Sequence, residues 1–196
     1  MKIDKNFKGL IEEDFRYVFN GDIKTTESLE IELDRRLFVN GSIEAGEYIK
    51  AGWSIEAGGY IKAGWSIETG GSIEAGGYIK AGWSIKAGWY IEAGEYIEAG
   101  GYIEAGEYIE AGESYGIVAG LSITCKGTLS FGLKAFAGIC GWREISDVEK
   151  TITCGKLEGG VVEYGILKET GIEENDDKTE EAMQLLKEKG YKIIKQ

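Results

Sequence analysis

Carboxylates recurring at a six-residue spacing are the first candidates for chemistry in this chain of 196 residues. From Ile43 to Ser114, every hexapeptide carries Glu or Lys at its second position and Tyr or Ser at its sixth. Glycoside hydrolysis needs a pair of carboxylates, but a catalytic acid also needs one distinctive environment that shifts its pKa. Because the glutamates recur in near-identical units, we interpret them as solvated surface charges. The hydroxyl groups have no basic partner that would make them nucleophiles.

Other reactive groups are few. The chain has no histidine, which is the usual general base and metal ligand. Cys125, Cys140 and Cys154 are odd in number and show no CxxC pairing, so we predict buried thiols rather than a disulfide framework or a zinc site. The glycines are periodic and form no phosphate-binding loop. We therefore expect no enzyme activity, no catalytic residue, no metal site and no cofactor.

The repeat itself predicts the architecture. Residues 43–114 form twelve consecutive hexapeptides, with Ile first, Ala third in all units but one, and Gly fourth. Alternate side chains of a strand point to opposite faces, so Ile and Ala should point inward and the charged residue outward. Glycine should form the corner because it accepts positive φ angles. This pattern predicts an all-β solenoid of hexapeptide units. Three units per coil are favoured over two, since only threefold stacking aligns an all-glutamate column of Glu56, Glu74, Glu92 and Glu110.

The flanking regions are predicted to cap this solenoid. Counting in sixes extends a degenerate repeat over residues 31–160, and Leu29–Leu33 alternates like a half-buried strand. Residues 1–30 are predicted to form an N-terminal helical cap, and residues 161–196 a linker followed by a helix of about 178–189 and a final strand. The N-terminal helix rests on apolar residues at helical spacing: Phe7, Leu10, Ile11, Phe15, Val18 and Phe19. The forward count gives these inward positions: Tyr115, Leu121, Gly127, Leu133, Ile139 and Ile145.

Charge divides the repeat into two halves. The chain has a formal charge of −12, and residues 91–114 contain seven glutamates and no lysine. Residues 43–90 contain five glutamates, four lysines and all four tryptophans of the repeat. The acidic half is either a partner-binding surface or simply the polar face that a narrow solenoid needs for solubility. The candidate partner-binding residues are Glu92, Glu95, Glu98, Glu104, Glu107, Glu110, Glu113, Trp53, Trp65, Trp83 and Trp89.

The aromatic residues have two interpretations of equal weight. Tryptophan and tyrosine are favoured anchors at interfaces, but they also stack along a sheet and stabilise it. Direct binding of nucleic acid is disfavoured because the negative charge repels phosphates. No stretch is apolar enough to cross a membrane, and the charged start does not resemble a signal peptide. We therefore expect a cytoplasmic protein in whatever cell makes it.

The unit Ile43-Glu44-Ala45-Gly46 resembles the hexapeptide repeat of left-handed β-helix proteins, a family that includes acyltransferases. Its fifth position departs from the small residue of that pattern, as Trp53 and Glu95 show, and the catalytic histidine of those enzymes has no counterpart. The Ile-x-Ala-Gly cadence is also similar to bactofilin-type polymerising β-helices. In its acidic, rod-like character the chain resembles bacterial and phage proteins that imitate DNA and inhibit restriction, CRISPR or topoisomerase proteins.

Two functions follow from these observations. The first is a non-catalytic acidic inhibitor, of the phage anti-defence or anti-CRISPR type, that occupies a basic groove of a nucleic-acid-binding protein. The alternative is a self-assembling structural protein that pairs through the open ends of its coil, as bactofilins do. A homodimer through a side face is left open.

Overall fold

Residues 1–171 are described by a computed structural model, which shows a β-solenoid of about nine turns. Short strands stack in three ladders whose strands pair in parallel, apart from one antiparallel pair near the N-terminus, and strands of the repeat that pair with each other are 18 residues apart. Ile61, for example, pairs with Ile43 on one side and Ile79 on the other. The all-β solenoid predicted from the repeat is confirmed.

The strands divide among the ladders as follows. The first ladder contains Lys2–Ile3, Leu29–Ile31, Ile49–Ala51, Ile67–Thr69, Ile85–Ala87, Ile103–Ala105, Ile123–Cys125, Thr151–Cys154 and Ile166–Glu169. The second contains Leu10–Glu12, Arg16–Phe19, Arg36–Val39, Ile55–Ala57, Ile73–Ala75, Ile91–Ala93 and Ile109–Ala111. The third contains Ile23–Thr25, Ile43–Ala45, Ile61–Ala63, Ile79–Ala81, Ile97–Ala99 and Ile117–Ala119.

One long strand, Thr128–Ala137, joins the second and third ladders into a single sheet. Its start pairs with Ile109–Ala111 and its end with Ile117–Ala119, so the strand turns a corner of the solenoid. The strand Lys156–Tyr164 pairs with it in parallel. A short 3₁₀ helix spans Val148–Lys150. The ladders thus extend from Lys2–Ile3 to Ile166–Glu169, on both sides of the predicted limits 31–160.

The core is a continuous stack of isoleucine and alanine. The first-position isoleucines of the repeat are fully buried, and the third-position alanines are nearly so. Burying an isoleucine stabilises a fold by about 1.5–3 kcal/mol relative to leaving it exposed. Each coil repeats this burial, so stability accumulates along the stack as in other repeat proteins. The predicted strand around Leu29 and Ile31 is confirmed, with both side chains buried and Glu30 exposed between them.

The fourth-position glycines are needed for a different reason from the one the sequence indicates. None of them has a positive φ angle. A Cβ added to Gly82 would lie 2.0 Å from the carbonyl oxygen of Gly64, one coil earlier, and one added to Gly100 would lie 2.2 Å from that of Gly82. The corners stack so closely that most of these positions have no room for a side chain.

The inward positions predicted by counting in sixes beyond Ser114 begin two residues too early. Two extra residues at the corner around Ser114 and Tyr115 change the local register from 18 to 20, so that Ile117 pairs with Ile97. A solenoid corner faces solvent, and it accepts an insertion without disturbing the stacked strands. The inward positions are therefore Ile117, Ile123, Leu129 and Ala135. Large exposed fractions mark three of the positions predicted to point inward: Tyr115, Leu133 and Ile139.

The N-terminal helical cap is also wrong. Leu10–Glu12 and Arg16–Phe19 form an antiparallel hairpin in which Leu10 pairs with Phe19. Arg16–Phe19 in turn pairs with Arg36–Val39, and Tyr17 is buried in line with Leu37. The end of the solenoid offers unpaired backbone groups, and a strand satisfies them where a helix does not. The predicted C-terminal helix of 178–189 lies outside the described residues.

Candidate partner-binding surface

The second ladder carries an uninterrupted row of carboxylates. Its strands are in register, so the outward second positions of successive coils stack directly above one another. Neighbouring strands of a sheet lie about 4.8 Å apart, so successive carboxylates follow one another at about this spacing along the solenoid. We call this row the glutamate column: Glu56, Glu74, Glu92 and Glu110.

The outward positions of the other two ladders mix both charges. On the third ladder, Lys62 Nζ lies 2.8 Å from Glu44 Oε1, and Lys80 Nζ lies 2.9 Å from Glu98 Oε1. On the first ladder, Lys86 Nζ lies 3.3 Å from Glu104 Oε1. The second ladder has no lysine within the repeat, and the nearest cation is the Arg36 guanidinium, 3.8 Å from Glu56. Negative charge is therefore concentrated on one of the three faces.

The structure divides the seven predicted glutamates among all three ladders and brings five of them together around the glutamate column. Glu92 and Glu110 belong to the column itself. Glu95 and Glu113 follow second-ladder strands at one corner, and Glu107 precedes a second-ladder strand at the other. Glu98 and Glu104 lie on the other two faces, in ion pairs with lysine.

The four predicted tryptophans also separate into two pairs. Trp53 and Trp89 follow first-ladder strands, at the corner that borders the glutamate column, and they are 50% and 52% exposed. Trp65 and Trp83 follow third-ladder strands, at the corner between the third and first ladders. Only the first pair lies beside the glutamate column.

Tyrosines hold the column carboxylates in place, a relationship that sequence analysis missed. The Tyr90 hydroxyl donates to Glu74 Oε2 at 3.2 Å, and the Tyr108 hydroxyl donates to Glu92 Oε2 at 3.1 Å. A sixth-position tyrosine thus reaches back to the carboxylate 16 residues earlier, in the preceding coil. Once the 18-residue register is known, this constant separation is the sequence signal that identifies such pairs.

Burial and neighbouring carboxylates together raise the pKa values of Glu74 and Tyr108. Partial burial, together with the neighbouring carboxylates of Glu56 and Glu92, raises the pKa of Glu74. Burial and the carboxylate of Glu92 raise the pKa of Tyr108, so its hydroxyl stays protonated and keeps donating. Within residues 1–171, Arg36 lies in ion-pair distance of Glu56, and no lysine or arginine pairs with the other three column carboxylates, so most of the column is an ordered acidic surface without a cation of its own.

A second feature missed by sequence analysis is Trp142. It lies in the segment between Thr128–Ala137 and Thr151–Cys154, and its ring centroid is 6.4 Å from that of Trp83. The Arg143 guanidinium and the hydroxyl and backbone N–H of Ser146 bond to Glu149 in that segment and lower the pKa of its carboxyl to about 2. Trp142 is the one tryptophan outside the hexapeptide repeat, which is its only mark in the sequence.

Residues 1–171 contain no group of three or more His, Cys, Asp or Glu side chains arranged to hold a metal ion. Cys125 and Cys154 are buried, and Cys140 is partly exposed. Burial and the adjacent Cys154 raise the pKa of Cys125 to about 12, so this thiol is not a nucleophile at neutral pH. No helix in the described part of the chain is long and apolar enough for a membrane crossing.

Comparisons with known proteins assign no family. No protein-family model matches the chain, and no curated protein or solved structure shows significant similarity to it.

Proposed function

We propose that this protein is a non-catalytic, protein-binding solenoid whose second-ladder face occupies a basic groove of a nucleic-acid-binding protein. The observation that carries this proposal is the glutamate column, a row of stacked carboxylates with no lysine among them. It acts as an acidic inhibitor of the anti-defence or anti-CRISPR type in a bacterial cytoplasm. Three hexapeptide units close each coil, a geometry that the 18-residue register supports.

Electrostatics supports a cationic partner. Burial raises the pKa of Glu74, and repulsion from the stacked carboxylates of Glu56 and Glu92 adds to this effect. A row of Arg or Lys side chains relieves that repulsion on binding. A field of one sign also accelerates association with an oppositely charged surface. The same field disfavours direct binding of nucleic acid, whose phosphates carry the same charge.

The two tryptophans beside the glutamate column also support a cationic partner. Trp53 and Trp89 are about half exposed beside the column, and indole faces attract arginine and lysine through cation–π contacts. Tyr90 and Tyr108 fix the carboxylates, so less side-chain entropy is lost on binding. A rigid acidic surface with aromatic edges suits recognition of a groove rather than catalysis.

The decisive experiment compares two variants of equal net charge. The column variant changes Glu56, Glu74, Glu92 and Glu110 to Gln, and the control variant changes the four third- and first-ladder residues Glu44, Glu68, Glu98 and Glu104 to Gln. Tagged proteins are used to recover partners from nuclease-treated lysate of the host, and the affinity for the recovered partner is measured at several salt concentrations. We expect the column variant to lose at least about 100-fold in affinity, because close interfacial charge pairs contribute more than about 1 kcal/mol each. Equal losses in both variants would contradict the proposal.

Self-assembly into a structural element is a second candidate function. One observation favours it: the last strands of the described residues, Lys156–Tyr164 and Ile166–Glu169, expose the apolar side chains of Val161, Tyr164 and Ile166. Open strand edges with apolar side chains promote association. Sedimentation over a wide concentration range tests this candidate, which predicts growing assemblies and is excluded by a strictly monomeric species.

A further inference from the structure

The first-ladder face carries a row of charges that alternate in sign. Its strands are in register, so the outward residue of each strand lies directly above that of the strand before it. From the N-terminal end, these stacked outward residues are Lys2, Glu30, Lys50, Glu68, Lys86, Glu104, Thr124 and Thr153. The charge therefore changes sign at every step as far as Glu104, and only the two threonines follow it in this row.

A row of alternating charges is complementary to a reversed copy of itself. If two copies of this face meet with their solenoid axes antiparallel, a two-fold axis between the coils of Glu68 and Lys86 brings Glu68 of one copy against Lys86 of the other. The same axis brings Lys50 against Glu104. The two charged residues that precede Lys50 then face the threonines at the other end of the row, so no like charges meet along it.

The other two faces do not have this property. An antiparallel copy of the third ladder, centred between Lys62 and Lys80, places those lysines against each other and Glu44 against Glu98. The glutamate column meets only glutamates when it faces itself. Because like charges at a contact are strongly unfavourable, the charge pattern selects the first-ladder face for a second copy of the chain.

Exposed tryptophans border this face in its two central coils. Trp65 precedes the first-ladder strand Ile67–Thr69 and is 70% exposed, and Trp83 precedes Ile85–Ala87 and is 44% exposed. Trp142, itself 62% exposed, lies beside Trp83 and enlarges the apolar patch. The two-fold axis that pairs the charges also places Trp65 against Trp83 of the other copy. Clustered exposed tryptophans are typical of protein interfaces.

We propose that two copies of this chain form an antiparallel dimer through their first-ladder faces. Trp65 and Trp83 provide its apolar contact, and the alternating charges fix its orientation. They also restrict its register, because a two-fold axis through a coil, rather than between two coils, would bring like charges together. A two-fold contact is closed, so assembly stops at two copies, unlike end-to-end pairing. Both second-ladder faces stay on the outside, so this inference does not depend on the proposed partner.

Charge reversal on the full-length chain tests the proposal. Sedimentation over a wide concentration range should show the wild type in a monomer–dimer equilibrium. Glu68→Lys opposes two lysines at both symmetry-related contacts and should raise the dissociation constant of the dimer at least about tenfold. Glu68→Lys/Lys86→Glu opposes unlike charges again and should restore the dissociation constant. A wild type that stays monomeric, or a double variant as weak as the single one, overturns the proposal.

Glu44→Lys is the matched control for the single variant. Glu44 also lies in register between two lysines, Lys24 and Lys62, but on the third ladder. The two variants therefore have the same net charge and similar neighbours within the chain. Glu44→Lys should leave the dissociation constant of the dimer unchanged. A loss equal to that of Glu68→Lys would mean that net charge, rather than the first-ladder contact, controls association.

Cross-linking then tests the antiparallel arrangement. Lys50 and Glu104 are three coils apart within one chain, a separation of about 14 Å that a zero-length carbodiimide cross-linker cannot span. In the proposed dimer they lie against each other across the interface. An equal mixture of ¹⁴N- and ¹⁵N-labelled wild-type protein should therefore give Lys50–Glu104 links between peptides of different isotope. A cross-linked dimer without such links would contradict the antiparallel arrangement.

Discussion

Tyr90 stacks on Tyr108 in the next coil, with ring centroids 4.7 Å apart and ring planes 6° from parallel. Both hydroxyls donate to carboxylates of the glutamate column, so the stack forms part of that column's support. The aromatic residues therefore have divided roles. Tyrosines stack on one another along the solenoid, whereas Trp53 and Trp89 remain about half exposed and available to a partner.

The stacked tyrosines should stabilise the fold measurably. Tyr78 lies between Tyr60 and Tyr96, with ring centroids 4.8 and 5.0 Å away. Changing Tyr78 to Ser, a residue that several units carry at this position, removes both contacts. We expect a loss of about 1–3 kcal/mol in the free energy of unfolding, since each aromatic pair contributes about 0.5–1.5 kcal/mol. Denaturant unfolding measures this loss.

Tyr102→Ser is the matched control for that experiment. Tyr102 occupies the same position of its unit, but the residues one coil before and after it are Ser84 and Ser122. A loss as large as that of Tyr78→Ser would show that burial of the ring, rather than stacking, provides the stability.

Close stacking of the corners predicts that glycine substitutions differ sharply by position. Gly82→Ala places a methyl group 2.0 Å from the Gly64 carbonyl oxygen, so the coils must move apart. Gly52→Ala meets nothing within 4 Å, although Gly52 has the same place in its unit. We expect Gly82→Ala to cost about 1–3 kcal/mol and Gly52→Ala to leave the melting temperature nearly unchanged. Equal effects on thermal unfolding would mean that another property of glycine sets the requirement.

The sequence predicts the solenoid because the period of six repeats the same inward pair, Ile and Ala, at every strand. It does not predict the ends, because there the repeat no longer determines the pairing. Phe15, Val18 and Phe19 have the spacing of a helix, but the open edge at Arg36–Val39 draws Arg16–Phe19 into a strand. Similarly, the inserted corner at Tyr115 shifts the next four inward positions by two, and only the observed pairing reveals that shift.

The sequence indicates which residues are candidates for the partner-binding surface, but it does not show how the structure arranges them. The period alone places Glu92 and Glu110 in one row, but it treats Glu98 and Glu104 as equivalent to them. Their lysine partners belong to preceding coils, so the distinction depends on which residues stack. Local sequence cannot show that neutralisation, because the paired residues are 18 positions apart.

Cysteine alkylation provides a test of the core at the C-terminal end. Cys125 and Cys154 are buried, and burial raises both pKa values, that of Cys125 to about 12. Cys140 is partly exposed. We expect iodoacetamide at pH 8 to label Cys140 in the folded protein and to label the other two only after denaturation. Mass spectrometry identifies the labelled peptides, and rapid native labelling of Cys154 would show that the last coils open readily.

The glutamate column should make stability depend on pH in a defined direction. Glu74 has a pKa above its ordinary value of 4.5 in the folded state, because burial and its glutamate neighbours disfavour the ionised form. Ionised Glu74 therefore destabilises the fold at neutral pH. That penalty disappears as the pH falls through the raised pKa and the carboxyl is protonated. Glu74→Gln should raise stability at pH 7 by about 0.5–1 kcal/mol, and its advantage over wild type should vanish below about pH 4.5.

Glu68→Gln is the control for this effect, because it removes the same charge from a different setting. Glu68 lies in register between Lys50 and Lys86 on the first ladder, so its charge is attracted by its neighbours. Its neutralisation should give no gain at pH 7, or a small loss. Thermal unfolding of both variants at pH 4 and pH 7, at low and high salt, separates the two cases. High salt should shrink the gain of Glu74→Gln because it screens the repulsion within the column. A gain for Glu68→Gln as large as that for Glu74→Gln would mean that overall net charge, rather than the stacked column, governs stability.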